Sequence, residues 1–157
     1  MPCYTVRCAT YRDLDSLLRI ESSSFVDPFS FSFFEEILRS HNCTLLVVDH
    51  QGEIMGYVMA AAQQGECHIL SIAVKPSMRR QRIGEALLTA LVTQLLEMNI
   101  FLVYLEVREN NQNARSFYKH LGFAERNVIR GYYRDGENAI AMVRRFVKSE
   151  KFRQEGK

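Results

Sequence analysis

HILSIAVKPSMRRQRIGEALL, residues 68–88, decides the fold. Its first part, His68 to Val74, is apolar and too short for a helix, and reads as a buried strand. Lys75, Pro76 and Ser77 break it. Beyond the basic cluster Met78-Arg79-Arg80-Gln81-Arg82, the residues Ile83, Leu87, Leu91 and Leu95 recur at i, i+4 spacing on one helical face. A strand, a tight loop and a helix therefore follow one another, and the first turn of a helix offers unpartnered amides and the positive end of its dipole. Four cations, Lys75, Arg79, Arg80 and Arg82, crowd that turn with no acid before Glu85, and Gly84 is read as letting a ligand approach the backbone. The stretch reads as a pyrophosphate site, Arg79 to Gly84, against the plainer alternative of a solvated basic helix start. It is neither a P-loop, since GxxxxGK[ST] is absent, nor a Rossmann turn, since no GxGxxG follows the strand.

A chain of 157 residues with 47% apolar and 24% charged residues predicts one soluble domain with an ordinary core. The net charge of +2 gives no reason to expect wholesale nucleic-acid binding. No apolar run approaches the ~18 residues of a membrane span, and no signal peptide precedes Tyr4, so a cytoplasmic protein is expected. Cys3, Cys8, Cys43 and Cys67 form no CxxC pair and read as reduced structural thiols. Cys67-His68 lacks a second pair at ligand spacing, so no metal is expected.

In chain order, Tyr4 to Cys8 alternates like an edge strand, and Thr10 with Asp13 makes a capping box for a helix carrying Leu14, Leu17, Leu18 and Ile20. Ser22 to Phe29 reads as a loop, held from helix by its serines and Pro28, and a second helix starts near Ser30 or Ser32. Phe25 and Phe29 at the ends of that loop could wall a substrate pocket. Thr44 to Val48 and Ile54 to Ala62 form a hairpin that turns at Gln63-Gln64-Gly65 into the strand before the basic loop. After the helix ending near Met98 comes a dense strand, Phe101 to Val107, parallel to its predecessor because a helix connects the two. A helix from about Asn111 to Leu121 is stopped by Gly122, and a hairpin of Phe123 to Ile129 and Ala139 to Arg145 closes the domain. The expected fold is a single α/β domain, residues 1–147, with a mixed central sheet of about seven strands and about four flanking helices, followed by a polar tail, 148–157.

Two residues stand out chemically. Glu106 is an acid in an otherwise apolar strand, sharing a face with Leu102, Tyr104 and Arg108. Either Arg108 pairs with it and makes it structural, or desolvation makes it a general base. Tyr118 lies in the apolar stripe of the following helix with Ala114, Phe117 and Leu121, and reads either as core or as a phenol able to protonate a departing thiolate. His68, on the neighbouring strand, is a second candidate base, an orienter of water, or a satisfied core histidine.

The I-A-V strand end followed by R-R-x-x-I-G-x-A-L-L resembles the coenzyme A site of the GNAT acetyltransferases, whose pattern is Arg/Gln-x-x-Gly-x-Gly/Ala. Arg79 and Gly84 match its ends, while Arg82 stands at the first glycine, where a helical φ/ψ and an outward side chain would tolerate it. Leu105-Glu106-Val107-Arg108 with Asn111, Ala114, Tyr118, Gly122 and Phe123 is similar to the signature of RimI-type N-terminal acetyltransferases. His68 to Val74 and Gly131-Tyr132-Tyr133-Arg134-Asp135-Gly136-Glu137-Asn138-Ala139 resemble segments of the NatA catalytic subunit and its archaeal relatives, with Arg134 and Asn138 departing from the latter pattern. Phe25-Val26-Asp27-Pro28-Phe29-Ser30 falls between the first loops of the two groups.

The resemblance implies a GNAT fold, acetyl-CoA as co-substrate, and acetyl transfer to protein or peptide N-termini, ribosomal proteins among them, with an auxiliary subunit left open. It implies that the backbone of Ile72, Ala73 and Val74 holds the pantetheine arm. Arg79, Arg80, Gln81, Arg82, Ile83 and Gly84 would take the pyrophosphate, and Asn111 would contact the coenzyme. Glu106 would accept the proton, Tyr118 donate one, and Phe29, His68 and Tyr133 line the acceptor site. Presenting a neutral amine at pH 7 costs about 1.4 kcal/mol for an α-amine of pKa ~8 and about 4.6 for a lysine of pKa ~10.4, which favours the α-amine for one modest base. A GNAT acting on small amines or lysine side chains, a coenzyme A sensor without turnover, and ribosome docking through the basic tail are the rival readings.

Overall fold

A computed structural model describes residues 3–147. The segment set apart in the sequence as a tail, 148–157, lies outside the described residues. Seven strands form one mixed sheet: β1 (Thr5–Cys8), β2 (Cys43–His50), β3 (Glu53–Gln63), β4 (Glu66–Val74), β5 (Leu102–Arg108), β6 (Ala124–Ile129) and β7 (Ala139–Arg145), in the spatial order β1-β2-β3-β4-β5-β7-β6. Four helices flank it: α1 (Leu14–Ser24), α2 (Phe31–Arg39), α3 (Ile83–Glu97) and α4 (Gln112–His120). Among the described residues only β4 and β5 pair in parallel, as a strand–helix–strand crossover through α3 requires.

Local signals produce these elements. Thr10 and Asp13 do form the predicted capping box, and the Arg7 guanidinium grips the Asp13 carboxylate at 2.8 Å and holds it below the usual carboxylate range. The helix they open starts as a 3-10 turn at Tyr11 and, contrary to expectation, continues through the serines to Ser24, where Phe25 turns extended. Ser23 Oγ–H donates back to the Ile20 carbonyl at 2.9 Å, one way a serine is tolerated inside a helix. Ser30 caps α2 by accepting the Phe33 amide at 3.2 Å. Both hairpins of the β2–β3–β4 meander turn through two residues with positive φ, Gln51-Gly52 and Gln64-Gly65, the conformation that matches strand twist.

The core has two layers. Leu46, Val48, Met55, Val58, Val103, Leu105 and Val107 pack under Ile83, Leu87, Leu91 and Leu95 of α3, the four residues whose spacing announced the helix. On the opposite face Leu45, Val47, Tyr57 and Met59 pack under Leu14, Leu17 and Ile20 of α1 and Phe34 and Ile37 of α2.

β4 differs from the simple buried strand expected. Met59 pairs with Ser71 and Ala60 with Ile69, leaving Leu70 as a bulge. Cys67 and Ile69 join the α3 layer, whereas Leu70 and Ala73 pack in the other, so the bulge switches the faces of the strand midway. Its pairing with β5 lasts only from Glu66–Leu102 to His68–Tyr104. Beyond His68 the two strands part, and the β5-facing edge of β4 carries no strand partner.

Candidate active site

Where the strands part, two side chains meet. His68, the last paired residue of β4, brings Nε2 to 2.5 Å from Glu106 Oε2 on β5. The Glu106 side chain is 15% exposed, deep in the opening yet open to it. An ionised carboxylate can only accept, so Nε2 is then the donor. The His68 ring lies flat on Tyr104, centroids 4.5 Å apart at 9°, which fixes the plane in which it meets Glu106.

Arg108 does not pair with Glu106, so the partner read for a structural role of that acid is not the one it has. Its Nη1 instead donates to Asp135 at 2.8 Å and Glu137 at 2.5 Å, and its guanidinium lies 4.0 Å from the centroid of the Tyr133 ring. Tyr132 packs edge-on against Tyr133. Burial pushes the Tyr133 phenol up to about 12, the Arg108 charge opposing and Tyr132 and Glu106 adding to it. The Glu106 charge also raises the phenols of Tyr104 and Tyr132, after the larger effect of burial, so these groups share one electrostatic neighbourhood.

Tyr118 sits at the C-terminal end of α4, 7% exposed. The helix ends in a Schellman arrangement: the Phe123 amide donates to the Tyr118 carbonyl at 3.0 Å and the Gly122 amide to Lys119 at 3.0 Å, with Gly122 at φ +89°. The ring is wedged between Phe117 and Phe123, and among the described residues its hydroxyl meets no hydrogen-bond partner. Fully buried polar side-chain atoms in the described residues all have partners, so this hydroxyl reaches open space. Burial, then the neighbouring Tyr133, push its phenol well above the ordinary range, and it holds its proton at neutral pH.

At the basic loop the first bond of α3 runs from the Ala86 amide to the Arg82 carbonyl, leaving the amides of Ile83, Gly84 and Glu85 without intrahelical partners. Arg82 is the N-cap with φ 61° and ψ 20°, and Arg80 also has positive φ. The helical φ/ψ that would tolerate an arginine at Arg82 is not found: the residue takes the left-handed geometry for which glycine is suited. The reason read for Gly84 also changes, because a Cβ there would stand 3.1 Å from the Phe117 ring and α4 fills that space. Arg79 folds back, donating to the Val74 carbonyl at 3.2 Å and approaching Ser24 Oγ at 3.5 Å, while Lys75 pairs with Glu53. Arg80, Gln81 and Arg82 remain exposed. Ile72 and Val74 face the α3 layer and Ala73 the other. Asn111 caps α4, its Oδ1 accepting the Ala114 amide at 3.1 Å.

Phe29 stacks on Phe33 at 4.4 Å, and its amide leads to a residue the sequence reading missed. Glu21, 1% exposed, accepts the Phe29 amide at Oε1, 3.1 Å, and Ser71 Oγ at Oε2, 3.1 Å, with the Tyr57 hydroxyl also on Oε2. Burial pushes its carboxyl up. The first loop is thereby tied to β4 at its bulge. A signal existed, since Glu21 continues the Leu14–Leu17 stripe at i+7 and i+4. Across the opening Asp27 meets Arg134 at 3.4 Å, both exposed.

The arrangement combines a carboxylate–imidazole pair at the mouth of a split sheet, a phenol that keeps its proton, and a basic helix start whose first amides are free. Residues 14–123 match the model of the acetyltransferase (GNAT) family. An N-alpha-acetyltransferase of Sulfurisphaera tokodaii is 36% identical over 153 residues, covering 89% of this chain and 92% of that protein. The crystal structure of the ribosomal-protein-S18-alanine N-acetyltransferase from Escherichia coli superposes with a TM-score of 0.84 at 28% identity, over 95% of this chain and 98% of that one. Ard1 from Thermoplasma volcanium gives 0.87 at 29% identity, over 92% and 98%. The fold, the split between β4 and β5 and the sequence agree: the chain belongs to the GNAT family of acetyltransferases.

Proposed function

We propose that the chain transfers acetyl from acetyl-CoA to the N-terminal α-amine of a protein or peptide by direct attack. The observation that carries this reading is the His68–Glu106 pair beside the unpartnered edge of β4. The names of its relatives, N-alpha-acetyltransferases of archaea and alanine acetyltransferases of ribosomal protein bS18, support the acceptor class. Ribosomal and other cytoplasmic proteins are accordingly the acceptors to which the reading points.

The chain's residues fit the carrier. The free edge of β4 from Ile72 to Val74 offers backbone groups for an amide-bearing arm, and the first amides of α3 with Arg80 and Arg82 suit its diphosphate. Asn111 has its amide nitrogen left over after capping α4. The acceptor nitrogen attacks the thioester carbonyl, the C–N bond forms and the C–S bond breaks. Glu106, through a water and with His68 orienting it, takes the ammonium proton, and Tyr118 delivers one to the sulfur. Phe29 and Tyr133 wall the acceptor. A thiol of pKa ~8.5 lies at least 1.5 units below the phenol, so full transfer from Tyr118 costs about 2 kcal/mol or more in the ground state, and its hydrogen bond acts mainly as charge builds on sulfur.

The test is acetyl transfer to peptides that differ in their first two residues, against spermidine and free lysine, with mass spectrometry locating the modified nitrogen. Acetylation confined to α-amines is the expected result. Preferential turnover of spermidine or lysine overturns the acceptor class, and binding of acetyl-CoA with no acceptor consumed overturns catalysis.

A further inference from the structure

The residues from Arg130 to Gly136 form a loop that carries two aromatic rings to the mouth of the split, and loops of this kind are usually mobile. This one is fastened from beneath. Arg108 lies two residues beyond Glu106 on the same face of β5, its side chain 22% exposed. One nitrogen of its guanidinium holds the carboxylates of both Asp135 and Glu137, and its plane supports the Tyr133 ring at 4.0 Å. Glu137 in turn accepts the Asn110 amide at 3.4 Å, and Asn138 bridges the base of the loop, accepting the Gly131 amide at 3.0 Å and donating to Glu109 at 2.9 Å. Inside the loop the Tyr133 amide donates to the Glu137 carbonyl at 3.1 Å and the Gly136 amide to the Tyr133 carbonyl at 2.9 Å. Among the described residues the opposite end meets the exposed Asp27–Arg134 pair, which water and salt screen.

We infer that Arg108 is a positioning residue for the acceptor: from the strand that bears Glu106 it sets Tyr133, and with it the outer wall of the acceptor site, at a fixed distance from the base. Two consequences follow from the charges. The guanidinium offsets one of the two negative charges on Asp135 and Glu137 and engages both carboxylates, which unpaired would offer the incoming ammonium a wrong resting place. The flat guanidinium lies against the Tyr133 ring while one of its nitrogens serves both carboxylates, and a lysine ammonium has no such plane, so lysine is only a partial substitute. This inference rests on the reading of the acceptor as a peptide amine, and it concerns neither the coenzyme nor the chemical step.

The experiment compares Arg108→Met, Arg108→Lys and the parent in steady-state acetylation of the best peptide, with acetyl-CoA affinity measured separately by calorimetry. The acceptor KM rises about tenfold in Arg108→Met and lies between in Arg108→Lys, while the acetyl-CoA Kd stays within about twofold. An unchanged acceptor KM, or an equal loss of acetyl-CoA affinity, overturns the inference. Should Arg108→Met not fold, the pair Asp135→Asn and Glu137→Gln releases the same guanidinium from the loop side and is judged by the same split. Hydrogen exchange at the Tyr133 and Gly136 amides, read without any acceptor, separates this inference from the acceptor class. Faster exchange in Arg108→Met together with no turnover of any peptide leaves Arg108 as the fastener of the loop and fails the acceptor class alone, whereas unchanged exchange removes the inference.

Discussion

Glu106 and Tyr118 hold opposite ends of the proposed proton path, and their surroundings give each a distinct signature. Tyr118 is buried, aromatic-packed and protonated, so Tyr118→Phe removes a hydroxyl without a cavity and leaves Phe117, Phe123 and the helix end in place. It lowers kcat by about 100-fold, the lower end of the range for a lost proton donor, with acetyl-CoA affinity unchanged in calorimetry. Glu106→Gln keeps a hydrogen bond to His68 but cannot take a proton. The rise of rate with pH as the acceptor amine deprotonates then tracks the amine alone, and kcat falls by about 100-fold or more. Equal rates for either variant and the parent, in the same stopped-time assay, end the corresponding role.

At the scale of elements the loop before α3 carries an unusual choice. A non-glycine residue in the left-handed region costs about 1–2 kcal/mol, and glycine would lose about 0.4–1 of that through its freer unfolded chain. Arg82→Gly therefore raises stability by up to about 1.6 kcal/mol in thermal melts while weakening acetyl-CoA binding severalfold in calorimetry, since one cation leaves the helix start. The strain was hinted at only by the resemblance, which sets Arg82 where the family pattern has a glycine, since nothing else in Gln81-Arg82-Ile83 signals positive φ. Much of the rest was. The α3 stripe, the capping box at Thr10 and Asp13, and Gly122 at the end of α4 depend on neighbours within a turn or two, and each took the expected form. The features that escaped are set by distant partners. The bulge at Leu70 exists in the register between β3 and β4, and Glu21 gains its meaning only when Tyr57 and Ser71 arrive from the sheet. Arg108 was correctly placed beside Glu106 in the strand, but its partners lie 27 and 29 residues away.

For the whole molecule, two buried carboxyls of opposite bias shape stability against pH. Asp13 is held below its ordinary value of 3.8 chiefly by the hydrogen bond from Arg7, so its contribution is full above the unfolded pKa and disappears as pH falls through the depressed folded one. Glu21 is raised above 4.5 by burial, so the folded state takes up a proton first and stability increases as pH drops from the raised value toward 4.5. Denaturant melts across acid pH should therefore show a gain on mild acidification and a loss below about pH 4. Glu21→Gln flattens the gain and Asp13→Asn flattens the loss, and a curve unmoved by either substitution contradicts the assignment.

The parting of β4 from β5 has one more consequence. Sheets usually leave their raw rims at the outside, where a stray chain can dock and start a fibre. Here a raw rim lies in the middle of the molecule, with α1 and α3 against β4 on either side. A foreign strand docking there would have to seat its side chains against α1 and α3 on the two faces, whereas a thin flexible tether makes no such demand. What would be a hazard at the periphery becomes, at the centre, a keyhole that sorts visitors by girth.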